Sequence, residues 1–197
     1  MAVQVTTLSC PNCGGPVSTG MKFCEYCGSE VLITSFRSVA DMPLPMVGKR
    51  MQAYQKALSS DPENRELNTS AAMCFLKLKQ YGHALKAFEK AMEFNFDNSE
   101  VFFYAAVCLL EGKMPFLHIR PTIDQILSYM DSALMIETRG IYYYFLAYIK
   151  YDYFKRKYLN VTPDYNQLLA QAKQAGVTQH EISQLYTLLG TQRPACL

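Results

Sequence analysis

The chain has 197 residues, half of them apolar, which suffices for one or two domains with a sizeable core. Its formal charge of +2 makes too weak a field to imply nucleic acid or anionic lipid as a partner. No long apolar run is present and MAVQVTTLS lacks the basic and apolar regions of an export signal, so no membrane span is expected and the expected address is the cytoplasm.

The first element is cysteine-rich. Cys10-Pro-Asn-Cys13-Gly14 and Cys24-Glu-Tyr-Cys27-Gly28 are two copies of one small turn, ten residues apart. In a reducing compartment such pairs read as metal ligands before disulfides. A glycine after each second cysteine permits positive φ, which lets backbone amides aim at the thiolates. Two such turns face to face supply four sulfurs in a tetrahedron, the closed geometry of a structural zinc site. A redox C-x-x-C would sit after a strand in a βαβ unit, and no such pattern surrounds either pair.

The segment from about residue 8 to 33 resembles the short bacterial zinc ribbons, whose knuckles read C-P-x-C-G and F-C-x-x-C-G. The resemblance makes Cys10, Cys13, Cys24 and Cys27 ligands of one structural Zn²⁺, and Phe23 and Val31 packing residues. So small a unit folds on its metal, and removing zinc should unravel it. Lys22 against Glu25 and Glu30 gives this ribbon no basic surface for phosphates, which favours protein contact over nucleic acid.

Residues 34–47 carry Pro43 and Pro45 with no helical period and read as a linker after a 1–33 ribbon domain. Helical repeats are expected over 48–159. AYQKALSSDPENREL from Ala53 and AFEKAMEFNFDNSEV from Ala87 align at a period of 34 residues, placing Glu63-Asn64 over Asp97-Asn98. Residues 65–98 resemble a divergent tetratricopeptide repeat: Ala84-x-x-x-Phe88 and Ala91 fit its second helix, and Asn68 to Phe75 fits its first without the usual tryptophan. Pro62 holds the family's proline place, which Phe96 holds one period on. Ser99 to Gly112 continues the register, and Cys74 and Cys108, 34 residues apart, read as small core residues. Met114 to Thr122 is an insert before the next partner helix around Ala133, and its Phe116, Leu117 and Ile119 either dock on the body or meet a partner.

Residues 141–159 read as one helix with apolar stripes on two sides. Lys150, Lys155, Arg156 and Lys157 lie among its aromatics, as a nucleic-acid stacking platform would require, yet they gather where the helix dipole favours cations anyway. From 160 to 197 capping helices and a tail are expected: Thr162-Pro163 opening one helix, Gly176 ending it, a Thr178-x-x-Glu181 capping box opening the last, and fraying after Gly190.

The fold class is therefore mainly α: a small N-terminal β zinc ribbon, then a solenoid of about three tetratricopeptide-like helix pairs with C-terminal capping helices. The resemblance implies a concave groove lined by first helices, here Met73, Leu76, Phe103, Tyr104, Val107 and Leu110, with Phe116 and Leu117 of the insert beside it. One lysine, Lys77, against Glu66, Glu100 and Glu111 excludes a carboxylate clamp on that face and favours apolar contact. No phosphate loop, nucleophile elbow or carboxylate pair at an open metal is present, so no enzyme is expected. The function these features imply is a non-catalytic cytoplasmic adaptor for a protein partner. The alternative is a nucleic-acid-associated regulator using the ribbon or helix 141–159, and a thiol sensor that releases zinc on oxidation shares the same cysteines.

Overall fold

The computed structural model describes residues 5–93 and 97–197, so the expectation placed on Phe96 lies outside the described residues. The fold is mainly helical with a small N-terminal sheet. The chain divides into two compact units, 1–96 and 97–197.

In the first unit, β1 (Thr7–Ser9) and β2 (Pro16–Ser18) pair antiparallel in a register that sets Leu8 opposite Val17. Strand periodicity turns both side chains inward, and both are buried. A single bridge between Phe23 and Glu30 closes the second knuckle. Four helices follow: α1 (Arg37–Ala40), α2 (Leu44–Leu58), α3 (Arg65–Lys77) and α4 (Tyr81–Met92).

The expected linker is thus structured. Pro43 and Pro45 do not interrupt a helix but open one, since a proline in the first turn gives up an amide that has no intrahelical partner anyway. Val47, Arg50, Tyr54 and Ala57 form the buried stripe of α2 at helical spacing. α2 packs against β1 and α3, while α3 also packs against α1 and α4.

The second unit contains α5 (Ser99–Cys108), a 3₁₀ turn at Pro115–Leu117, α6 (Arg120–Ile136), α7 (Gly140–Ile149), α8 (Tyr165–Gln174) and α9 (Gln179–Leu189). α5 packs on α6, and α7 packs on α6, α8 and α9. The 34-residue period has a local cause here. Asn64 and Asn98 cap α3 and α5, their side chains accepting from the backbone amides of Leu67 and Glu100 at 3.1 Å each. Cys74 and Cys108 are buried, and burial pushes the Cys74 thiol up to about 12 and raises Cys108 as well.

Two expectations about the second unit change. Residues 141–159 are not one α-helix: α7 passes at Lys150–Phe154 into a π turn and at Lys155–Lys157 into a 3₁₀ turn, ending at Tyr158 with φ 59°. Nor does α8 start at Thr162-Pro163, whose peptide bond is cis. Asp164 takes the cap because it and Gln167 satisfy each other's amides at 2.8 and 2.9 Å. The Thr178 and Glu181 capping box forms as expected, and Gly176 and Gly190 adopt the left-handed conformation that ends α8 and α9.

Gly140 marks a close approach between the start of α7 and the backbone at the end of α8. A Cβ there would lie 2.5 Å from the Val177 nitrogen and 2.8 Å from the Ala172 carbonyl oxygen, both backbone atoms that cannot rotate away. Gly140→Ala is expected to destabilise the unit by about 1–3 kcal/mol, the range of an overpacked core, despite alanine's better helix propensity. A thermal melt checks this, and an unchanged or raised midpoint would mean that the crossing yields.

Candidate metal centre

The two knuckles have the same backbone plan. Gly14 donates to the Cys10 carbonyl at 2.9 Å and Gly28 to the Cys24 carbonyl at 2.8 Å, with φ of 84° and 68°. The Cys10 amide in turn reaches Gly15 at 2.7 Å, and the Cys24 amide reaches Ser29 at 2.9 Å. Each turn therefore closes on itself and sends both sulfurs to one side.

The sulfurs of Cys10, Cys13, Cys24 and Cys27 all lie within 4.8 Å of one another. Cys10 and Cys27 are 3.7 Å apart, as are Cys13 and Cys24. Four sulfurs each about 2.3 Å from a zinc ion would lie about 3.8 Å apart on the edges of a tetrahedron. The residues therefore fit one zinc ion, and their four sulfurs fill its coordination shell.

Electrostatics point the same way. Ser29 pulls the Cys27 thiol down to about 5 through its hydroxyl, 3.1 Å from the sulfur, and through its backbone amide. Cys13 goes the other way, up to about 11: a backbone bond at Gly15 lowers it, but partial desolvation and the sulfurs of Cys27, Cys10 and Cys24 outweigh that. Four adjacent thiols cannot all ionise without a cation among them, which is what a divalent metal supplies. Asn12 adds its amide, 3.5 Å from the Cys10 sulfur, and its carboxamide nitrogen, 3.6 Å from that of Cys27. Asn12 and Ser29 were not picked out from the sequence, although each stands inside or just past a knuckle.

The ribbon is seated on α2. Tyr54 donates its hydroxyl to the Val31 carbonyl at 2.8 Å, Arg50 donates to the Glu30 carbonyl at 2.9 Å, and Lys49 donates to the Asn12 carbonyl at 2.6 Å. On the other side Thr6 donates to Asp61 at 2.6 Å, and Asn64 donates to both at 3.1 and 3.0 Å. Chelation should therefore not spare the helices of this unit, as an independently folding ribbon would allow, because the stripe of α2 is buried partly by ribbon residues.

Most of the residues expected to line a groove are buried. Met73 and Leu76 on α3, and Phe103, Val107 and Leu110 in and just past α5, are buried. Phe103 packs on Tyr142 and Phe145 with ring centroids 4.8 and 5.7 Å apart. Tyr104 is half-buried beside Phe103, so changing both would remove core rather than surface.

The insert docks but keeps two apolar tips outside. The Phe116 amide donates to the buried Asp152 carboxylate at 2.8 Å, and Arg156 and Lys157 lie over the Phe116 ring at 4.4 and 5.1 Å. Leu117 and Ile119 remain 63% and 69% exposed. Asp152, also missed in the sequence, explains the π turn: the extra residue turns its carboxylate toward the insert and toward Arg156. The aromatics of α7 are not a stacking platform, since Tyr142, Tyr144 and Tyr148 are buried, and Lys150 lies over the Phe154 ring.

A family model described as a zinc-ribbon domain matches residues 6–31, spanning both knuckles. No curated protein matches the chain. Among solved structures the chain is similar to one titled "Crystal structure of MamA", at 13% identity over 73% of this chain and 69% of that one, with a TM-score of 0.47. The pairing of helices stands on the chain's own packing.

Protein purified without added zinc is expected to carry one zinc per chain by elemental analysis. Cys10→Ser or Cys24→Ser should abolish it and Cys74→Ser should not. Tyr54→Phe, which leaves the buried Val31 carbonyl without its donor, should lower the stability of this unit by about 1–3 kcal/mol with the zinc content unchanged.

Proposed function

We propose that the chain is a non-catalytic cytoplasmic adaptor, a zinc ribbon and helix pairs joined to hold a protein partner. The observation that carries this reading is the closure of the metal centre: four sulfurs leave a zinc ion no open position for substrate or water, so the metal acts through folding. Among the described residues no helix is long and apolar enough to cross a membrane, which is compatible with that address. Ribbons bind proteins and nucleic acids alike, so the choice rests on surface chemistry. Around the knuckles Phe23, expected to pack, is instead half exposed, Tyr26 is exposed as well and Glu25 lies between the second pair of cysteines, a surface better suited to an apolar partner than to phosphates.

The nucleic-acid alternative loses its main support with the burial of the α7 tyrosines. Purification of the tagged full chain from its native cell after nuclease treatment separates the two readings. A protein that stays bound from low salt to about 0.5 M supports the adaptor, since phosphate-dominated binding falls steeply over that range. Recovery of nucleic acid, or capture that disappears with nuclease, would overturn it.

A further inference from the structure

The insert between α5 and α6 holds two aliphatic side chains out in solvent. Its residues alternate: the Phe116 ring lies under Arg156 and Lys157, and the His118 ring bonds the Leu110 carbonyl at 3.1 Å, while Leu117 and Ile119 stand exposed on either side of His118. The turn is fixed by the Phe116 amide on the buried Asp152 carboxylate, and by the Leu117 and His118 amides on the Met114 and Pro115 carbonyls at 3.0 Å each. Burying either aliphatic tip would stabilise the fold, so their exposure on so constrained a turn marks a surface with another use.

Cations surround these tips. Arg156 and Lys157 reach them across Phe116, Arg120 and Lys150 lie over the Phe154 ring at 5.2 and 4.9 Å, and Lys155 and Tyr158 are exposed beside them. Residues 114–120 and 150–159 carry these five cations against one carboxylate, Asp152, which is buried and engaged by Phe116 and Arg156. Five positive charges less one leave +4, which the chain's total of +2 conceals. From outside these segments Asp124 pairs with Arg120 at 2.7 Å, Asp131 attracts Lys150, and Glu111 pairs with Lys113 at 3.2 Å. An acidic protein patch interrupts its own apolar surface wherever a carboxylate stands. A bilayer instead lays a negative plane over continuous hydrocarbon, and lysine and arginine stems lie along apolar surface while their heads stay at that plane. We propose that the insert and the turns of residues 150–159 form a peripheral docking surface for anionic bilayers. Leu117 and Ile119 enter the acyl boundary, and Lys150, Lys155, Arg156 and Lys157 meet the head groups. The surface lies wholly in the second unit and uses no residue of the ribbon, so it stands apart from the adaptor reading.

The probe is a vesicle of equal parts phosphatidylcholine and phosphatidylserine, sedimented with the zinc-loaded full chain. Binding is expected, and should weaken at least about tenfold on phosphatidylcholine alone or at about 0.5 M salt. Leu117→Asn with Ile119→Asn should weaken it at least about tenfold, because two aliphatic side chains no longer leave water. Lys155→Ala with Lys157→Ala should do the same, each cation near an anionic surface contributing about fivefold. Lys173→Ala, which removes an exposed cation at the C-terminal end of α8, should leave binding unchanged. The chain contains no tryptophan, so Leu117→Trp places a single reporter at the tip, and its emission should move to shorter wavelength on the mixed vesicles. If the lysine pair lowers the melting midpoint, the tip variants and the reporter decide. No binding to the mixed vesicles, binding that the tip variants leave intact, or a reporter unmoved by bound vesicles refutes the docking surface. Binding to polyglutamate as tight as to the mixed vesicles assigns the surface to an acidic protein and refutes it as well.

Discussion

Four thiols held within 4.8 Å of one another form an arrangement that holds together only around a cation. Everything at the N-terminal end of the chain inherits that condition. The knuckle turns place the sulfurs, a sheet of three residues per strand buries Leu8 and Val17, and neither could hide enough surface to persist alone. The ribbon meets α2 mainly through backbone carbonyls, which receive the hydroxyl of Tyr54, the guanidinium of Arg50 and the amine of Lys49. Carbonyls point the right way only when the turns carrying them are closed. The metal's binding free energy is in this way transmitted to a helix that supplies no ligand.

α3 shows what the helices do with that support. It is buried along its length from Leu67 to Leu76, although it carries Asn68, Thr69 and Ser70. Each polar side chain there has a partner: Asn68 donates to the Pro62 and Asn64 carbonyls, Thr69 to the Arg65 carbonyl, and Ser70 to Ile33. The first two are satisfied within the helix, its cap and the turn at Pro62 just before it. Ser70 alone depends on a residue 37 positions away, and so on the segment that leaves the ribbon.

What could be read from the sequence was local and repeated. Two C-x-x-C-G turns fix the ligand set because spacing and glycine placement determine where sulfurs point, and the 34-residue period surfaced because Asn64 and Asn98 do the same capping. The capping box at Thr178, and Gly176 and Gly190, were legible for the same reason. Features depending on distant partners were not. Pro43 and Pro45 look like a break until α2 is seen to need a start, and no periodicity shows that α7 will change register at Asp152 to reach the Phe116 amide. Met73, Leu76, Phe103, Tyr104 and Val107 do lie on α3 and α5, and Leu110 just past α5, but sequence gives no view of what lies over them. Asp164 displaced Thr162-Pro163 as the cap because two reciprocal bonds outweigh one.

The segment leaving the ribbon also shows why a metal is useful in so small an element. From Val31 to Ile33 burial alternates, with Leu32 only half-covered between two buried neighbours. A slip of one residue would carry Leu32 to Ser70 and move Val31 and Ile33 out of the places where both are buried. Main-chain bonds to Ser70 and Tyr54 cannot prevent that slip, because every residue offers the same amide and carbonyl. A fixed point upstream can. Cys27 lies four residues before Val31, and Gly28 closes its turn onto the Cys24 carbonyl, so the count from metal to Ile33 has no slack. The site therefore sets register as well as stability, and the face of α3 receives one definite set of side chains.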